Sequence, residues 1–99
     1  MSYNYILDER AHQEYEEAIL WYLDRSLQAT ENFISAMDET LALICDHPTR
    51  WRNEYKEFYE LGLKKYPYTI IYTVDPDQEI VFVTTVHHHK RSPRKKYRK

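Results

Sequence analysis

Cysteine is nearly absent from this sequence, and long apolar runs are missing altogether. Cys45 is the only cysteine among 99 residues, so no internal disulfide can form and a small disulfide-stapled secreted scaffold is excluded. No apolar run approaches the ~18 residues that a membrane-spanning helix needs, so no membrane partner is expected. The N-terminal Met1-Ser2-Tyr3-Asn4 has no basic region followed by an apolar one. No secretion signal is therefore expected, and a cytoplasmic protein is the simplest reading. Internal repeats and low-complexity tracts ahead of the C-terminus are missing too. The expectation is one domain over residues 1–99, globular rather than disordered at 42% hydrophobic and 30% charged residues. A chain of this length buries a modest core, with a net stability of ~5–10 kcal/mol.

Acidic residues are absent from the last ten positions. Lys90, Arg91, Arg94, Lys95, Lys96, Arg98 and Lys99 place seven of the fourteen basic residues there. Residues 1–89 hold all sixteen acids and the other seven bases, a net of −9 against +7 for the tail. An acidic body with a basic tail at 90–99 suggests an anionic partner met by the tail. The plainer reading is a solubilising end, or one that pairs with the acidic body. The ten tyrosines suit half-buried surfaces, because each has an apolar ring and a polar tip.

Residues 3–7 alternate and favour β structure, which predicts a short strand. Asp8 is a good N-cap for a helix running through Arg25. Ala11, Tyr15, Ala18, Ile19, Tyr22 and Leu23 mark its buried stripe, while Glu9, Gln13, Glu16, Glu17 and Asp24 lie largely off it. Ser26 caps a second helix from Leu27 to about Asp46, whose apolar period runs through Ala29, Phe33, Met37, Leu41 and Ile44. His47-Pro48 stops it, because a residue before proline avoids the α region. Residues 49–54 read as loop, and Tyr55 to Leu61 as a weakly alternating strand. Residues 66–74 form a strong strand with Pro67 at its start, where no ladder bond is lost. Asp75-Pro76-Asp77-Gln78 is turn chemistry, and residues 79–86 make the second strong strand of a β-hairpin. The order strand, helix, helix, strand, strand, strand predicts an α+β two-layer domain. A helical hairpin would pack on one face of a small, mainly antiparallel sheet, leaving the other face partly open.

Four segments in this order resemble one family. They are Glu17-Ala18-Ile19-Leu20-Trp21-Tyr22, Leu43-Ile44-Cys45-Asp46-His47-Pro48, residues 63–72 from Leu63-Lys64-Lys65 to Tyr72, and His87-His88-His89-Lys90-Arg91-Ser92-Pro93. Over residues 3–97 the chain is similar to the RelE/ParE toxins, and to the subgroup known as plasmid-stabilisation toxins. The resemblance implies the toxin half of a type II toxin–antitoxin pair, held inactive by an antitoxin. It implies one of three activities: ribosome-dependent cleavage of mRNA, inhibition of DNA gyrase, or weak toxicity with antitoxin binding alone. The mRNA endonuclease is the leading expectation, and the fold itself does not choose.

Cleavage by 2′-OH attack needs a base for the 2′-OH proton, a stabiliser for the charged phosphorane and an acid for the leaving 5′-oxygen. The resemblance implies that relatives use lysines, arginines and a C-terminal tyrosine, or histidine or glutamate, with no metal. Arg91 and Tyr97 have the arginine-to-tyrosine spacing of the ribosome-dependent members. Arg91 suits a bidentate phosphate clamp, and Tyr97 can donate or relay a proton or stack on a base. Alternatively Arg91 pairs with the antitoxin or the acidic helices, and Tyr97 is a tail residue that packs on the sheet or is disordered. His87 and His89 share one strand face, with His88 on the other, and are candidate acid–base groups. Lys64, Lys65, Lys90, Arg94 and Lys95 are candidate RNA or phosphate contacts. A His-x-His pair can share an ion, but no carboxylate or cysteine is placed with it, so neither metal nor cofactor is expected. The subgroup often carries an arginine on the strand before Leu63-Lys64-Lys65-Tyr66. Here Tyr59 is expected at that position, with Glu57 and Glu60 beside it, carboxylates that repel phosphate. Arg50 and Arg52 in the preceding loop are the nearest replacements.

Overall fold

Asp8 begins the fold by doing two jobs at once. In the computed structural model, which describes residues 2–91 and 96–97, its backbone N–H donates to the Val83 carbonyl at 3.0 Å. That bond ends strand β1 (Asn4–Leu7). Its carboxylate accepts from the Ala11 N–H at 2.9 Å and starts helix α1 (Glu9–Leu23). Ser26 repeats the capping device, its hydroxyl accepting from the Ala29 N–H at 3.1 Å, for α2 (Leu27–Asp46). The first helix ends two residues before Arg25, and the second ends where His47-Pro48 predicts.

Four further strands follow: β2 (Arg52–Tyr55), β3 (Phe58–Gly62), β4 (Tyr68–Asp75) and β5 (Ile80–His88). The sheet order is β1-β5-β4-β3-β2, with β1 parallel to β5 and the remaining pairs antiparallel. The expected α+β architecture is present, with one strand more. The segment read as a loop followed by a single strand is a hairpin. All four β2 residues are exposed, so no apolar alternation marks the strand. The Asn53 side-chain amide closes the turn by donating to the carbonyls of Lys56 (2.9 Å) and Phe58 (2.7 Å). Lys56 takes the left-handed backbone there, φ 48°.

Both helices turn their apolar stripes to one face of the sheet. Ala11, Ala18, Phe33, Met37, Leu41 and Ile44 meet Ile70 and Tyr72 of β4 and Val81, Val83 and Val86 of β5 in one cluster. The β5 members change parity between Val83 and Val86. Tyr72 pairs with Val83 and Ile71 with Thr85, which leaves Thr84 as an extra residue. Its hydroxyl donates to the Ile71 carbonyl at 3.2 Å. This β-bulge exchanges the faces of everything after it. Val86 and His88 turn toward the helices, and Thr85, His87 and His89 toward the other face.

No helix among the described residues is long and apolar enough to cross a membrane. Tyr72 is fully buried and its hydroxyl donates to the Pro48 carbonyl at 2.5 Å, tying the central sheet to the end of the helical hairpin. Tyr72→Phe keeps the ring and orphans that carbonyl, a loss of about 1–2 kcal/mol. Thermal unfolding should show a drop of roughly 4–8 °C per kcal/mol for a chain this size. An unchanged melting temperature would mean the bond contributes nothing net.

Candidate functional site

The face opposite the helices is concave. A cleft of ≈ 570 Å³ opens there, lined by Arg52, Glu60, His87, His89, Arg91 and Lys96, with Trp51, Leu61, Gly62 and Thr69 completing it. The ladder explains the company. Arg52 pairs with Glu60, Glu60 with Ile71 and Ile71 with Thr85; one step along, Gly62 pairs with Thr69 and Thr69 with His87. Directly paired residues share a face, so four strands deliver their side chains to one side.

Glu60 is the hub of one wall. It is buried, and it accepts from Lys96 Nζ at 2.9 Å and from the Tyr97 hydroxyl at 2.6 Å. The Tyr97 ring stacks on Tyr55 (4.8 Å between centroids, 27° between planes) and lies tilted against Phe58 at 5.5 Å. Burial pushes the Glu60 carboxyl up, but the bonds from Tyr97 and Lys96 outweigh it and hold the group below its ordinary range. Burial and the carboxylate partner push the Tyr97 phenol well above its usual value, so it stays protonated. Arg52 pairs with Glu54 on its own strand.

Arg91 forms the second wall, anchored from outside the sheet. Its Nη1 donates to Glu14 Oε2 at 2.7 Å, and Glu17 approaches at 3.5 Å. His87 lies between the walls, 4% exposed. Burial, and then the charges of Lys96 and Arg91, lower its pKa, so the ring is neutral near pH 7. Among the described residues its Nδ1 is one of two buried side-chain polar atoms with no hydrogen-bond partner. His89 Nε2 lies 3.0 Å from the Thr69 hydroxyl. His88 faces the helices, edge-on to Tyr68 at 4.9 Å, and its Nδ1 accepts from the Lys90 N–H at 3.0 Å.

The sequence candidates therefore divide. Arg91, His87 and His89 meet in the cleft, and Tyr97 joins them through Glu60. Lys64 and Lys65 do not; they line a second groove of ≈ 530 Å³ with Asn32, Ser35 and Glu39. The two grooves adjoin at Trp51, Leu61 and Gly62. Lys90 is exposed and lines neither. Arg94 and Lys95 lie outside the described residues. Arg91 pairs with an acidic helix and still lines the cleft, whereas Tyr97 packs on the sheet and reaches the cleft wall through Glu60. Tyr59 pairs with Tyr72 and stacks on it at 5.8 Å, packed against the core, leaving Glu60 on the cleft side. Arg52 reaches the cleft as a replacement cation. Glu14 escaped sequence reading because an acid on a helix is usually solvated. Its spacing, three residues after Ala11 and four before Ala18, puts it on the buried stripe. Among the described residues no group of three or more His, Cys, Asp or Glu side chains is placed to share a metal ion.

Residues 5–93 match the family described as the ParE toxin of the type II toxin–antitoxin system, parDE. No curated protein matches significantly. Among solved structures, the chain is similar to the toxin in the intact E. coli RelBE toxin–antitoxin complex. The TM-score is 0.63 at 20% identity, over 91% of this chain and 100% of that one. The isolated E. coli RelE toxin gives a TM-score of 0.63 at 21% identity, over 93% of this chain and 89% of that one. At this identity the likeness is one of fold.

The lowered Glu60 pKa sets a pH dependence. A carboxylate whose folded value is depressed stabilises the fold above its unfolded value of ~4.3, and that contribution is lost as pH falls through the lower folded value. Docking of Tyr97 on the β2–β3 hairpin should therefore persist through the ordinary carboxylate range and release only under stronger acid. Glu60→Gln should abolish this transition and return the Tyr97 phenol toward ~10. Ring NMR shifts of Tyr97 report both; shifts indifferent to Glu60→Gln would show that the carboxylate does not hold the tail.

Proposed function

This chain belongs to the ParE toxin family of type II toxin–antitoxin systems, and from that premise we propose that it is a toxin that cuts mRNA on the ribosome without a metal ion. The observation that carries this reading is the convergence in one cleft of Arg91, Lys96 and Arg52 with a neutral, buried His87 and with Glu60, whose carboxylate holds the Tyr97 hydroxyl. A phosphate in the cleft meets cations from three segments of chain. His87 is neutral and lines the cleft, so its ring is the candidate base for the 2′-OH proton. The 2′-oxygen then bonds to phosphorus, Arg91 and Lys96 stabilise the added negative charge, and the P–O5′ bond breaks. The products are a 2′,3′-cyclic phosphate and a 5′-hydroxyl. Tyr97, kept protonated by Glu60, supplies the proton to the 5′-oxygen; an alkoxide is far more basic than a phenol, so a raised phenol pKa does not prevent it.

Lys64 and Lys65, in the adjoining groove, are assigned to the flanking strand, and Lys90, Arg94 and Lys95 to further phosphate contacts. The similarity to a toxin solved in complex with its antitoxin supports a cognate antitoxin for this chain as well. The cytoplasm, where ribosomes are, is the proposed site of action. A second reading, gyrase inhibition by binding alone, is favoured by the ParE description of the matched family and by the carboxylate partners that Arg91 and Lys96 already have.

Primer extension on mRNA-programmed ribosomes tests the proposal. Arg91→Ala should slow cleavage ~100- to 1,000-fold, the scale for one oxyanion-stabilising group. The acid limb of the rate profile should break below the ordinary imidazole value of ~6.5, because burial lowers the His87 pKa, and the break should vanish in His87→Ala. No cleavage by the wild-type protein, with growth arrest and an induced DNA-damage response, would favour the gyrase reading. Neither cleavage nor arrest would leave a weakly toxic relative that binds its antitoxin.

A further inference from the structure

We infer that Glu14 is the positioning residue for Arg91 and for the end of β5, which makes α1 a working part of the cleft. The inference rests on the reading that Arg91 meets a phosphate. β1 pairs with β5 only as far as Val83, so beyond that point β5 has lost its ladder partner on one side. The Val86 N–H there would be buried and unpaired. Glu14 Oε1 accepts it at 2.9 Å. The other oxygen, Oε2, accepts from Arg91 Nη1 at 2.7 Å, with Arg10 Nε at 3.5 Å.

One carboxylate thus fixes two points, Val86 just before His87 and Arg91 just after His89. The segment between them carries the cleft's histidines. Glu14 is 6% exposed on a helix held by the core, so its oxygens have little freedom. Glu17 does not share the role. It is 3.5 Å from Arg91 and its side chain is 66% exposed, where a pair contributes little. Arginine has five N–H donors, and the strong bond to Glu14 is made by Nη1 alone, which leaves donors for a phosphate. Holding the group in place beforehand matters because small misplacements of a charge-stabilising group cost rate steeply.

Two substitutions separate the roles. Glu14→Gln keeps an oxygen for Val86 but removes the charge that holds Arg91. Glu14→Ala removes both. Amide exchange at Val86 should stay protected in Glu14→Gln and become fast in Glu14→Ala. The Arg91 guanidinium NMR signals should show hindered rotation in the wild-type protein and averaging in Glu14→Gln. In ribosome-programmed cleavage, Glu14→Gln should lower kcat about 10- to 100-fold with KM little changed. In an Arg91→Ala background it should cost almost nothing more, since the two act as a unit. Arg91 signals indifferent to Glu14→Gln, losses that multiply in the double variant, or faster cleavage by Glu14→Gln would each overturn the inference. If the wild-type protein cleaves no mRNA, the endonuclease reading fails; if Arg91→Ala cleaves normally, the phosphate role of Arg91 fails; in both cases the Val86 and Arg91 measurements still decide whether Glu14 positions them.

Discussion

One additional residue in β5, Thr84, governs which side of the sheet the second half of that strand faces. Before it, Val81 and Val83 face the helices; after it, Val86 does. Side chains alternate strictly along a strand, so removing the bulge would send His87 into the hydrophobic core and Val86 into the cleft. The cost of the bulge is local, and the Thr84 hydroxyl offsets part of it by bonding the Ile71 carbonyl. The gain is that one strand serves both layers: its first half completes the core under the helices, and its second half lines the cleft. The short β1 fits this division. It covers β5 only where β5 is core, and α1 takes over along the rest.

The cleft is electrostatically balanced rather than simply basic. Arg91 faces Glu14, Lys96 faces Glu60, and Arg52 faces Glu54. A body with a formal net charge of −9 over residues 1–89 would repel a phosphate at long range. Pairing changes the short-range picture. Each carboxylate holds its cation in a fixed place, and a paired guanidinium or ammonium still has N–H donors to offer. The histidine between them stays neutral because burial and two neighbouring cations all disfavour a further positive charge. Positive charge and an uncharged ring therefore arise from the same arrangement.

The helices and the long hairpin were legible because their signals are local. Asp8 and Ser26 cap as their side-chain chemistry predicts, and the β-branched run after residue 79 has no competing period. The β2–β3 hairpin was not legible, for two physical reasons. Its edge strand is wholly exposed, so polar residues satisfy it and no pattern is imposed. Its turn also lacks the glycine that usually marks a left-handed residue. Lys56, Lys65 and Glu79 hold positive φ, while the single glycine, Gly62, sits in a strand. In the site, residues near one another in sequence were found readily: His87, His89 and Arg91 lie on one strand end. Glu14 and Glu60 were not, because their partners are 77 and 37 residues away at Arg91 and Tyr97. A carboxylate met in sequence looks solvated or repulsive until its distant cation is known.

Glu60 shows how such a residue can hold a cation at a cleft. A buried carboxylate on β3 would, left alone, weaken any anion site. It is not left alone: it binds Lys96 and Tyr97, and the stacking of Tyr97 on Tyr55 adds an apolar contact to the two hydrogen bonds. Lys96 thus brings positive charge to this carboxylate, together with the Tyr97 phenol. Arg52, paired with Glu60 in the ladder, adds a second cation from the neighbouring strand. The Glu60 carboxylate on the sheet and the Lys96 cation are two halves of one arrangement, so Lys96 belongs to the cleft as much as β5 does. The acidic body and basic tail, which by composition alone suggest only attraction, meet here at specific atoms.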